Sequence, residues 1–116
     1  MEMINNENVI KFADYIESKS KCYIFMEKCD TDFEKYLIER GRHIIEEEAV
    51  KYLKQLLNGL SALHKLNIIY RELRASSILL KNGNIKIDIL SMPRGYENNE
   101  ERYFYPLYIA PEIIKH

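Results

Sequence analysis

One stretch constrains this chain more than any other, the run from Glu46 to Lys65. Ala49, Val50, Leu53, Leu56, Leu57, Leu60 and Leu63 recur there three and four residues apart. On a 3.6-residue period that spacing gathers them into one apolar stripe and predicts a helix. Glu46, Glu47 and Glu48 fall in its first turn, where negative charge complements the helix dipole, and His64 falls in the last, where a cation does. Such a helix needs a partner to lay its stripe on. With 116 residues the chain has material for one small core and not for two, so the whole of it reads as a single domain, 1–116.

The flanks supply the partners. Residues 8–12 (Asn-Val-Ile-Lys-Phe) read as a short strand, extended by Tyr15-Ile16. Cys22-Tyr23-Ile24-Phe25-Met26 reads as a second, and the polar residues between them suggest a hairpin. Thr31 followed by Glu34 matches a capping box, and Gly41 is placed to end the helix that would carry Phe33, Tyr36 and Leu37 on one face. Beyond the long helix, Ile68-Ile69 reads as extended. Ile78-Leu79-Leu80 and Ile85-Lys86-Ile87, around the turn Lys81-Asn82-Gly83-Asn84, read as a second hairpin. No period holds through residues 91–108, where Pro93, Gly95 and Pro106 break regular structure, and this segment is expected to be the most mobile. Its Tyr96, Tyr103, Tyr105 and Tyr108 read as amphipathic cover for a surface loop rather than as phosphate acceptors. The order of elements is α+β.

Composition removes several classes of function. Seventeen Lys+Arg against eighteen Asp+Glu leave a formal net charge of -1, so no bulk attraction to nucleic acid or anionic membrane is expected. No apolar run approaches the roughly 18 residues of a membrane-spanning helix. Residues 1–8 lack the basic and apolar regions of a signal peptide. Cys22 and Cys29 make no disulfide framework, and His43, His64 and His116 are scattered without metal-ligand spacing. Free thiols in a reducing cytoplasm, and no structural metal, are the expectation.

The segment Tyr70-Arg71-Glu72-Leu73-Arg74-Ala75-Ser76-Ser77-Ile78-Leu79-Leu80 resembles the catalytic loop of eukaryotic-type protein kinases, H-R-D-L-x-x-x-N, which likewise lies between a long helix and a β-hairpin. Residues 8–12 are similar to the strand after the family's small-lobe helix. Tyr23-Ile24-Phe25-Met26-Glu27 is similar to the strand that leads into the interlobe hinge, with Met26 at the gatekeeper position, and Tyr108-Ile109-Ala110-Pro111-Glu112 to the A-P-E end of the activation segment. Four pieces in family order over most of the chain make the resemblance specific. It implies a mostly helical large-lobe core with a few small-lobe strands attached. It also implies hinge and adenine contacts at Met26, Glu27, Cys29 and Leu79 wherever nucleotide binds. Leu53, Leu56 and Leu60 would then pack under further large-lobe structure.

The same resemblance exposes departures. Nothing corresponds to the glycine-rich loop, to the lysine that anchors ATP phosphates, or to that lysine's glutamate partner. Tyr70 stands at the loop's histidine, Arg71 is retained, Glu72 replaces the catalytic aspartate and Ser77 replaces the magnesium-binding asparagine. A gapless alignment puts Ile89 at the metal-binding aspartate of D-F-G and keeps Lys86-Ile87 in register, whereas a one-residue deletion would put Asp88 there as a weak metal candidate. Arg74-Ala75 is closer to some tyrosine kinases, but Tyr105-Pro106-Leu107-Tyr108 is similar to the T-P-x-Y of serine/threonine kinases, and that ancestry is preferred.

The extra methylene of Glu72 moves its carboxylate by about an ångström, and such misplacement costs on the order of 10²-fold in rate. Phosphoryl transfer rests on positioning and charge neutralisation, so the accumulated losses predict a catalytically inactive, truncated pseudokinase. It would act on another protein, a kinase or a kinase substrate, and need no cofactor. The degenerate catalytic positions are then Glu72, Arg71 and Arg74, with Tyr70 and Ser77. The alternatives are a residual serine/threonine kinase binding ATP and magnesium, and a non-functional fragment of a kinase gene.

Overall fold

The computed structural model describes residues 4–90 and 106–114. The expectation of high mobility for residues 91–108 falls mostly outside them. Strands β1 (Phe12–Glu17) and β2 (Cys22–Met26) form the first hairpin. They pair antiparallel, with Tyr15 opposite Ile24 and Ile16 opposite Tyr23, and a bulge at Ala13. Strand β3 (Thr31–Asp32) leads directly into helix α1 (Phe33–Glu39), followed by helix α2 (Glu46–Lys65). A 3₁₀ turn (Ala75–Ser77) then feeds strands β4 (Ile78–Lys81) and β5 (Asn84–Ile87), and β3-β4-β5 make an antiparallel sheet. Past the undescribed stretch lie a 3₁₀ turn (Pro106–Tyr108) and helix α3 (Pro111–Ile114). No helix among the described residues is long and apolar enough to cross a membrane.

Helix does not dominate as expected. Among the described residues one long helix and one of seven residues are matched by five strands. The reason is local: β3 forms on Thr31 and Asp32, which lack an apolar run and were not readable as a strand. Thr31 therefore does not cap α1. Asp32 does, its Oδ1 accepting the Lys35 amide at 2.9 Å, because pairing of Thr31 with Leu80 starts the helix one residue later. Gly41 does stop α1, at φ +68°, with its amide on the Ile38 carbonyl.

Residues 8–12 also differ from expectation. The strand begins at Phe12, and Val9 makes a single parallel bridge to Ile87. The Ile87 amide donates to the Asn8 carbonyl at 2.8 Å and the Ile10 amide to the Ile87 carbonyl at 3.0 Å. Buried Asn8 is held from two more sides, donating to the Ile85 carbonyl (3.0 Å) and accepting from Asn58 of α2 (2.8 Å). Ile68-Ile69 forms no strand; Asn67 at φ +58° turns the chain and Ile69 is left exposed.

The apolar residues of α2 do not act as one stripe. Tyr52, Leu56, Gly59, Leu60 and Leu63 face the sheet, whereas Val50, Leu53 and Leu57 are exposed. Leu63 joins Val9, Tyr70 and Ile87 in one buried cluster, and Tyr52 joins Ile78, Leu80 and Ile85 in another, with Leu56 touching both. Phe33 meets Tyr52 edge-on at 5.2 Å, while the Tyr36 and Tyr52 hydroxyls and Arg40 converge on Glu48. Burial, and then the Tyr36 hydroxyl, push the Tyr52 phenol well above its usual range, so it stays a neutral donor.

Candidate functional site

The loop after α2 is folded back by its own backbone, with the Ile68 amide on the Leu63 carbonyl (3.0 Å) and the Asn67 amide on His64 (2.9 Å). That turn delivers Tyr70 into the first core cluster. Its hydroxyl donates to the Asp88 carbonyl at 3.1 Å, tying the loop to the residue just past β5. Burial raises the Tyr70 hydroxyl above its ordinary value; a hydrogen bond at Ser77 opposes this, and the negative charges of Asp88 and Glu72 add to it. Tyr70 is thus a packed aromatic with a bonded hydroxyl.

Ser77 is turned onto its own loop. Its hydroxyl lies against the carbonyls of Glu72 and Arg74 (2.9 Å to the latter) and accepts from the Arg74 amide at 3.3 Å. Glu72 and Arg74, both half-buried, form an ion pair with Oε2 and Nε 3.7 Å apart. Arg71 is exposed. Asp88 is buried: its amide reaches the Ser77 carbonyl (3.4 Å) and its Oδ1 accepts from Leu90 (3.0 Å). Ile89 instead packs against the apolar cluster of Val9, Leu63, Tyr70 and Ile87. Glu72, Arg74, Ser77, Asp88 and Tyr70 are therefore brought together, and Ile89 is turned away from them.

The model for the protein kinase domain matches residues 1–116. The chain belongs to the protein kinase family. It is 32% identical to a probable serine/threonine-protein kinase of Encephalitozoon cuniculi, across 98% of this chain and 22% of that protein. It is 32% identical to the serine/threonine-protein kinase polo of Drosophila melanogaster, across 96% and 20% respectively. The cell division control protein 2 homolog 3 of Trypanosoma brucei brucei is 30% identical, across 98% of this chain and 38% of that protein. This kinase-family chain spans about a fifth to two-fifths of the length of those three relatives.

The hinge residues of this kinase-family chain sit between its hairpin and its sheet. Met26 ends β2 and is partly exposed, while half-buried Leu79 lies between Asp32 on β3 and Lys86 on β5. Glu27 does more than offer hinge backbone. Its carboxylate accepts from Lys81 (2.8 Å), from the Lys11 amide (2.8 Å) and pairs with Lys86 (3.2 Å). Burial opposes its charge, but those three donors outweigh it and hold the carboxyl down at about 2. The Cys29 thiol is pushed up by burial and then by Glu27, which leaves it a poor nucleophile. Sequence reasoning missed Lys81, Lys86, Asn8 and Asn58. For the lysines the only signal was two cations on one short hairpin, and for Asn8 a polar residue abutting Val9-Ile10.

Proposed function

We propose that this kinase-family chain works as a pseudokinase, by binding another protein rather than by transferring phosphate. The observation that carries the reading is Ser77, whose hydroxyl is spent on the Glu72 and Arg74 backbone at the position where the family's loop offers an amide to magnesium. Two features support it. Glu72 stands in place of the catalytic aspartate and is ion-paired to Arg74, and Ile89 is packed into the core. Magnesium and ATP together need several oxygen donors at fixed positions, and Asp88 alone is a thin set. Serine/threonine ancestry and a cytoplasmic location belong to the same reading, with a kinase or a kinase substrate as the protein partner.

One observation favours a second reading, a residual nucleotide binder. Asp88 is a buried carboxylate directly after β5 and next to the loop, with Leu79 on the neighbouring strand. Calorimetric titration with ATP, with and without magnesium, separates the two. No heat at millimolar nucleotide and no labelled phosphate on peptides or on the chain itself are expected, with an active kinase assayed alongside. Magnesium-dependent ATP binding without transfer moves the assignment to the second reading, and transfer removes both. A cooperative melt excludes a gene fragment with no stable fold.

A further inference from the structure

Helix α2 has a second apolar face that the core does not use. Glu46, Val50, Leu53, Leu57, Leu60 and His64 are spaced four, three, four, three and four residues apart. That is the a/d repeat of a coiled-coil seam, carried through nearly three heptads. Val50, Leu53 and Leu57 on it are 41%, 53% and 56% exposed, while Leu60 sits at the border with the core. We propose that a second copy of this chain docks on this face, α2 against α2, antiparallel about a two-fold axis.

The choice of a second copy rests on self-complementarity. In an antiparallel pair centred near Gln55, Leu53 meets Leu57 of the other copy and Val50 meets Leu60, so every apolar position has an apolar partner. The ends match in chemistry as well. The acidic first turn, Glu46 to Glu48, meets the last turn with His64 and Lys65, and Glu46 falls opposite His64 at both ends of the seam. Antiparallel packing also sets each helix dipole against the other. A two-fold axis closes the assembly at two, because the same patch serves both copies. One group works against the pairing: Lys54 borders the seam near the axis, where the two copies bring like charges together.

This inference rests on the protein-binding reading and names the chain itself as a partner. Light scattering after gel filtration, over a concentration series of the 116-residue chain, should show a monomer–dimer equilibrium. Leu53→Lys/Leu57→Lys and Leu53→Glu/Leu57→Glu should each weaken the dimer by roughly 100-fold or more, and an equal mixture should associate again. Both pairs change exposed residues, so the circular-dichroism melt of the monomer should be little altered, and Lys54→Gln should tighten the wild-type dimer severalfold. A wild-type monomer at every concentration, open-ended aggregation, or a mixture that stays monomeric overturns the proposal. The two readings fail separately. An inactive monomer refutes the pairing and leaves the pseudokinase reading, whereas a dimer that phosphorylates peptide does the reverse.

Discussion

Replacing Gly59 by alanine puts a methyl group where β5 and the Asn8 strand cross α2. The new Cβ would lie 2.7 Å from Ile87 Cδ1, 2.8 Å from the Asn8 carbonyl oxygen and 3.3 Å from Asn8 Cβ. The Ile87 methyl can rotate aside. The carbonyl cannot, because it accepts the Ile87 amide while the Asn8 side chain is held by Ile85 and Asn58. Alanine gains about 1 kcal/mol over glycine in a helix interior. Overpacking costs about 1–3 kcal/mol, and stretching the Asn8–Ile87 hydrogen bond roughly another 1 kcal/mol. The net is a destabilisation of about 1–3 kcal/mol, a melting-temperature drop of several degrees for a domain of this size. Urea denaturation should show a lower midpoint with an unchanged slope, and hydrogen exchange should speed up first at the Ile10 and Ile87 amides. Ile87→Val removes the nearer obstacle, so the double variant should lose less than the sum of the single ones. If Gly59→Ala is as stable as the parent, the close crossing does not exist and the placement of residues 8–10 is wrong.

Glu27 gives a pH test: its folded value of about 2 lies below the roughly 4.3 of an unfolded glutamate, so its contribution is whole above that value and fades as pH falls towards 2. The gap in melting temperature between parent and Glu27→Gln should be constant from pH 6 to 8 and close on acidification; a gap independent of pH refutes the Lys81–Lys86 clamp. Asp32→Ala should cost about 1 kcal/mol by chemical denaturation through loss of the α1 cap, whereas Thr31→Ala, if it cost more, would restore the capping-box reading. The triple change Glu72→Asp, Ser77→Asn and Ile89→Asp should still transfer no labelled phosphate, since point changes supply neither the missing lysine nor the phosphate-covering loop. Phosphorylated peptide from that variant would mean that side chains alone had silenced the site.

What the sequence determined by itself is what short range encodes. The bounds of α2, the β4–β5 hairpin around Asn82-Gly83, the β1–β2 hairpin, and the catalytic-loop segment were all legible because helical period, turn residues and a contiguous motif act over a few positions. The tertiary structure decided everything that required distant residues to meet. Two apolar faces on α2 looked like one stripe, and only the sheet chose between them, burying Tyr52, Gly59 and Leu63 and leaving Val50, Leu53 and Leu57 outside. β3 exists because β4 offers a partner about fifty residues later, and that pairing moved the α1 cap from Thr31 to Asp32. The Glu27 carboxylate found its lysines 54 residues along the chain, and Asn8 found Ile85 at a separation of 77. At the candidate site, naming Ser77 and Ile89 took only an alignment, but their directions did not follow from it. Ser77 turned inward because the loop's own carbonyls lay within reach, and Ile89 because the core around Leu63 took up an apolar side chain at less cost than water would.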